Sequence, residues 1–275
     1  MGDIRRFGQK RRLSLMMNCT NANKDLGFDD FSKCDYNLHW SFSNFNRMLI
    51  GAGQIAQLPL KAKVLELGAG SSRLENYVRE NFGRKDISFY KVDGDIAYEY
   101  ESNITVLDIS QAEEGSWQWQ HIKSKGKYDA VVFMEVVEHI TKEKAPSIFK
   151  NIFECLKPEG LLLFTTPTPP YEKKYEYEVW PTDHNHEFTH DEIYSIINLW
   201  FKITKEIGWS LEEREFNNLL EKNLELLKIY SKLKNAFPES YIRSIISCLA
   251  PIEANRQILF LCKKRRKPNG RLTSS

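Results

Sequence analysis

"AKVLELGAG", residues 62–70, decides how this chain folds. Its apolar residues run almost unbroken to Gly68 and Gly70, and an amphipathic stretch, "SRLENYVREN" (72–81), follows at once. A strand buried on both faces reads this way. The glycines let the chain turn sharply and admit a ligand close to the backbone. A helix that starts there offers unpaired N–H groups to an anionic group.

The same alternation continues outward in both directions. Further short apolar runs are "ISFYKVDGD" (87–95), "NITVLDIS" (103–110), "YDAVVFMEV" (128–136), "LLLFTTPTPP" (161–170), "FKITKEIGW" (201–209) and "QILFLCKKR" (257–265). Helical patterns such as "KAPSIFKNIFECLK" and "DEIYSIINLWF" separate them. With the first run these make seven strands, so the pattern predicts an α/β, Rossmann-like, mostly parallel sheet with helices on both faces. The organisation expected is an N-terminal tail and helical cap over 1–57, a core over 58–207 plus 256–265, a helical insertion or lid over 208–255 and a basic tail over 266–275. In the insertion, Phe216, Leu219, Leu220, Leu227, Tyr230, Leu233 and Phe237 fall largely on one helical face and are expected to pack inward.

Length and composition fit one elaborated domain. The 275 residues are 41% hydrophobic and 28% charged, as in a soluble globular protein. No apolar run is long enough to span a membrane, and the first residues lack the apolar stretch of a signal peptide. The five cysteines are scattered without CxxC spacing, which points to a reducing, cytoplasmic setting. A net charge of +2 conceals two basic ends, "RRFGQKRR" and "KKRRK", that suit either solvated tails or a polyanion such as RNA.

Acids at the strand ends sharpen the reading of the glycine turn. Asp93 closes the second strand 23 residues after Gly70, near the spacing at which a carboxylate accepts ribose hydroxyls. Asp108 closes the third. Glu66-x-Gly68-x-Gly70, the acid after strand two, and "DAVVFMEVVEH" at strand four together resemble the class I S-adenosylmethionine-dependent methyltransferases. The resemblance implies that Glu66, Gly68, Ala69, Gly70 and Glu135 line the methionine end of S-adenosylmethionine. It further implies that Asp93 holds the ribose and that Asp108 lies by the adenine. The sequence departs at Ser72, where many members of that family carry a third glycine, and the nicotinamide fingerprint GxGxxG is not met, since Arg73 stands at its third glycine.

Two polar clusters point to the chemistry. "EVVEH" brings Glu135, Glu138 and His139 to the end of the fourth strand, and "DHNHEFTH" (183–190) supplies His184 and His186. A methyl acceptor must lose a proton, and a neutral imidazole takes one near neutral pH. His139 and His184, with His186 behind them, are the expected proton-handling residues. Thr189 reads as the N-cap of the following helix. The segment between, with Tyr171, Tyr175, Tyr177 and Trp180, offers rings to stack on an acceptor.

The implied activity is methyl transfer to an oxygen or nitrogen of a small-molecule or glycan acceptor. A second resemblance, to the small-RNA 3′-terminal 2′-O-methyltransferases, implies instead that Glu135, Glu138, His139 and His184 hold Mg²⁺ or Mn²⁺ over an RNA terminus. His186, Phe188 and His190 depart from that family's pattern. A third reading is a cofactor-binding partner protein without catalysis.

Overall fold

The computed structural model describes residues 35–70, 73–98, 103–110, 113, 115–168, 184–211 and 213–266. The aromatic segment with Tyr171, Tyr175, Tyr177 and Trp180, the residues before 35 and those after 266 lie outside it. A long helix, α1 (Asp35–Ile55), precedes the first strand. Then follow β1 (Lys63–Leu67), α2 (Arg73–Phe82), β2 (Ser88–Asp93), β3 (Ile104–Val106), α3 (Trp117–Ser124), β4 (Tyr128–Met134), α4 (Ala145–Cys155) and β5 (Leu156–Pro167). The chain ends through α5 (His190–Trp200), β6 (Phe201–Leu211), α6 (Glu213–Lys222), α7 (Leu224–Leu233), α8 (Glu239–Ser247) and β7 (Asn255–Lys264).

One seven-stranded sheet runs β3-β2-β1-β4-β5-β7-β6. The first five strands are parallel, and β7 lies antiparallel between β5 and β6. Successive strands step outward from β1 to β3, and the chain then crosses back to β4 on the other side of β1. That reversal leaves a crevice above the carboxyl ends of β1 and β4, where open α/β sheets bind their ligands. Alternation along each strand divides the core in two. One face packs Leu65, Phe133, Phe164 and Phe260 against Phe149 and Ile197 of α4 and α5. The other packs Val64, Val132, Leu163 and Leu259 against Ala52, Ile55, Leu74 and Val78 of α1 and α2.

The position of α1 matters for the site. A Cβ on Gly51 would lie 2.6 Å from Met134 Cε and 3.2 Å from Leu163 Cδ2, with Leu74 Cδ1 at 3.6 Å. The bare glycine lets this helix press on the last residue of β4 and on the first turn of α2. The residues one turn earlier are thereby carried over the crevice.

Two sequence readings shift in register. β5 begins at Leu156, because Leu156 pairs with Tyr128 ahead of an irregularity that takes up "PEG". In the helices after β6, Asn223 accepts a hydrogen bond from the Leu226 N–H at 3.1 Å and caps a new helix, which resets the helical phase. Leu226 therefore packs with Phe216, Leu220, Ile242 and Ile246, while Leu227 and Phe237 are exposed. Among the described residues no helix is long and apolar enough to cross a membrane.

Candidate functional site

The glycine turn is built first. Gly68 and Gly70 adopt φ of 71° and 51°, the left-handed region open to glycine at little cost. The N–H groups of Gly68 and Ala69 both donate to Val92 O, at 2.9 and 3.1 Å, which ties the turn to β2. The Gly70 N–H donates to Asp93 Oδ2 at 2.7 Å, and the Asp95 N–H donates to Oδ1 at 2.9 Å. Each Asp93 oxygen thus accepts one backbone bond and keeps a lone pair for a further donor. Asp108 sits beside this acid: its Cα would lie 3.4 Å from a Cβ on Gly94, and its Oδ1 accepts bonds from the Ser110 N–H and hydroxyl.

Glu66 lies beneath the turn, 5% exposed, with Oε2 lacking a hydrogen-bond partner. Burial pushes its pKa up to about 8, although Lys91 on the neighbouring strand pulls it down. Lys91 is itself committed to Glu75 of α2, at 2.6 Å.

Across the crevice, Glu135 follows β4 with φ of 54°, a strained conformation for a residue with a side chain. Its N–H donates to Thr165 O at 3.1 Å. Its carboxylate accepts from Thr165 Oγ1 at 2.9 Å and from Gln257 Nε2 at 3.1 Å, and Arg47 Nη1 approaches to 3.4 Å. The bend aims Glu135 at the α1 face of the sheet.

The next turn points the other way. Glu138 is 1% exposed, and its Oε2 lies 3.5 Å from Thr166 Oγ1, at the limit of hydrogen-bond range. Burial, then the charge of Glu135, holds its carboxyl well above the usual carboxylate range. Its backbone carbonyl accepts the N–H groups of Asn185 and His186, at 2.7 and 3.1 Å, and Asn185 Nδ2 donates to His139 O. These bonds dock segment 184–188 against the end of β4.

The docking brings Glu138, His139 and His184 together, with one ligand atom from each within 4.8 Å of the others. Glu135 is outside that group. The rings of His139 and His184 meet edge to face, centroids 5.0 Å apart. His184 Nδ1 lies 3.2 Å from Glu187 Oε1, and Glu187 Oε2 is buried without a partner. His186 sits elsewhere, 3.2 Å from Glu192 Oε2, and Thr189 and Glu192 form a reciprocal capping box at the start of α5.

Arg47, Thr165, Thr166, Glu187 and Gln257 complete the surroundings. Arg47 and Gln257 went unread in the sequence because one sits in an apolar helical pattern and the other opens a strand far along the chain. Glu187 carried a signal: it stands three residues after His184, within reach on a single turn.

Comparison with known proteins shows what this chain is similar to. A family described as a methyltransferase domain matches residues 42–223. Coclaurine N-methyltransferase bound to N-methylheliamine and SAH is similar in structure: 17% identity over 79% of this chain and 70% of that one, TM-score 0.47. A SAM-dependent methyltransferase from Archaeoglobus fulgidus gives 18% identity over 74% and 86%, TM-score 0.46. Phosphoethanolamine N-methyltransferase 2 from Haemonchus contortus, in complex with S-adenosyl-L-methionine, gives 17% identity over 81% of this chain, TM-score 0.48. Here the match spans only 52% of the Haemonchus chain. Among curated proteins, no sequence matches.

Proposed function

This chain belongs to the methyltransferase-domain family, and we propose that it carries the methyl group of S-adenosylmethionine to an oxygen or nitrogen of a small-molecule acceptor. The observation that carries this reading is a juxtaposition. The glycine turn with Asp93 stands at the end of β1, and Glu138, His139 and His184 gather just beyond the end of β4, its hydrogen-bonded neighbour.

The residues present fit the donor. Asp93 keeps lone pairs for two ribose hydroxyls. The nearest atom to a Cβ on Gly70 would be Tyr98 Oη, 3.8 Å away, so the turn leaves room for a ligand against its backbone. The unpartnered Oε2 of Glu66 offers an acceptor close by. In this reading Asp93 would hold the ribose, Asp108 would lie by the adenine, and Glu66, Gly68, Ala69, Gly70 and Glu135 would line the methionine end. S-adenosylmethionine, when bound, supplies an electrophilic methyl on a positively charged sulfur.

The chain's own contribution is alignment and proton removal. An acceptor hydroxyl or amine that takes the methyl gives up a proton, and an imidazole nitrogen accepts it. A proton on Nδ1 of His184, shared with Glu187, leaves Nε2 carrying the lone pair. His139 faces it as the second proton-handling group, and His186, tied to Glu192, steadies the segment. The test measures S-adenosylhomocysteine release over a panel of hydroxylated and aminated acceptors. His139→Ala and His184→Ala are expected to slow turnover about 10²-fold or more with donor affinity unchanged. Full turnover in both variants would remove the histidines from the reaction.

The compact Glu138, His139, His184 group favours a second reading, in which these side chains hold Mg²⁺ or Mn²⁺ and the acceptor is the 3′-terminal ribose of an RNA. One carboxylate and two imidazoles form a mixed oxygen–nitrogen set suited to such ions. Glu135 would join them only by leaving Thr165, Gln257 and Arg47. A chelator then abolishes turnover and Mn²⁺ restores it, whereas proton transfer to histidine alone leaves turnover indifferent to chelation.

A further inference from the structure

At the amino ends of the parallel strands, opposite the crevice, lies an open cleft of about 600 Å³. Lys202 at the start of β6 and Lys263, Lys264, Arg265 and Arg266 at the end of β7 line it, and among the described residues there Glu159 is the one acid. β7 runs from Gln257, bonded to Glu135 at the crevice, to Lys263 six residues on, so cleft and crevice lie about 20 Å apart.

The cations are held in place but not neutralised. Lys264 Nζ donates to Leu156 O at 2.8 Å, and Arg265 Nε donates to Phe201 O at 2.9 Å, both neutral carbonyls. Glu159 meets Arg266 at 3.3 Å in an exposed pair. Lys202 and Lys263 stand directly opposite each other across β6 and β7, both exposed, and among the described residues neither forms an ion pair. Like charges in that register cost stability, and an anion between them offsets the repulsion. Five cations against one acid leave a surplus of four positive charges.

The shape and lining favour a chain of phosphates over a lipid surface. A membrane-binding face offers apolar side chains to a broad plane, whereas this surface is a cleft, and none of the exposed large apolar residues lines it. A nucleic-acid strand is narrow and carries a charge at every nucleotide. We infer that the cleft docks the phosphodiester backbone of a single-stranded nucleic acid, apart from whatever acceptor the crevice takes. With no ring among the lining residues to stack on a base, it follows the backbone without reading the sequence.

The test is fluorescence anisotropy of labelled oligouridylate and oligoadenylate with the full chain, over a range of salt. Four neutralised phosphates give a slope of log affinity against log salt of about −3, and both oligomers bind equally tightly. The double variant Lys202→Gln, Lys263→Gln changes only exposed side chains. It is expected to weaken binding about tenfold at low salt and to make the slope shallower by about 1.4. Lys232→Gln with Lys234→Gln, at the end of α7, removes the same charge elsewhere and leaves binding as in the wild type. No binding by the wild type, equal loss in both double variants, or a strong preference for one base would overturn the inference. So would phosphatidylserine vesicles that bind through Lys202 and Lys263 while neither oligomer does, which would give the surface to a membrane.

Discussion

His139 and His184 stand 45 positions apart in the chain, yet their rings meet edge to face with centroids 5.0 Å apart. The backbone carbonyl of Glu138, which accepts the N–H groups of Asn185 and His186, brings this about. The buried Glu138 carboxyl completes the group. Calorimetric titration of Mn²⁺ into protein loaded with S-adenosylhomocysteine decides what the group holds. A cation site gives stoichiometric binding that Glu138→Gln weakens at least about tenfold. Heats no larger than dilution in the wild type would leave the histidines as proton acceptors.

Gly68 and Gly70 share a left-handed backbone but differ in the space around them. A Cβ on Gly68 would fall 2.2 Å from Val136 Cγ2, while one on Gly70 meets nothing closer than Tyr98 Oη at 3.8 Å. Gly68→Ala is expected to destabilise by about 2–4 kcal/mol, from overpacking plus backbone strain, and Gly70→Ala by about 1–2 kcal/mol. Urea unfolding of the two variants checks this. Equal losses would show that Val136 yields without cost.

The buried Glu66 gives the ligand-free protein a pH dependence. Its folded pKa of about 8 lies above the ordinary value of 4.5, so between those values the folded state keeps a proton that the unfolded chain releases. Stability supplied by this group is full below pH 4.5 and is lost as pH rises towards 8, by up to about 5 kcal/mol in total. Glu66→Gln is expected to flatten that slope, so the variant's advantage in unfolding free energy grows from pH 5 to pH 8. A difference between wild type and variant that stays constant with pH would contradict it.

Much of the fold was legible because buried parallel strands write themselves as near-continuous apolar runs. β1, β2 and β4 fall within three residues of the runs at 62–70, 87–95 and 128–136. β3 did not: only Ile104–Val106 pairs with β2, because the chain turns at Leu107, whose N–H reaches back to Asp93 O. Nor did the runs reveal that β7 lies antiparallel between β5 and β6, since pairing partners are set by long-range packing. In the site, the glycine turn and its acids could be read from spacing within one βαβ unit. The outward twist of Glu135 could not, because a left-handed backbone at a residue with a side chain is imposed by its partners, Thr165 and Gln257. Arg47 was hidden for a similar reason: its neighbour Glu135 lies 88 positions further along the chain.

The most direct measurement is a titration of S-adenosylmethionine into the purified protein and into Asp93→Ala. One site per chain is expected in the wild type, weakened at least about tenfold in the variant by loss of the carboxylate that accepts the ribose hydroxyls. Absence of binding to the wild type would contradict the donor site at the end of β1, and with it the proposed methyl transfer.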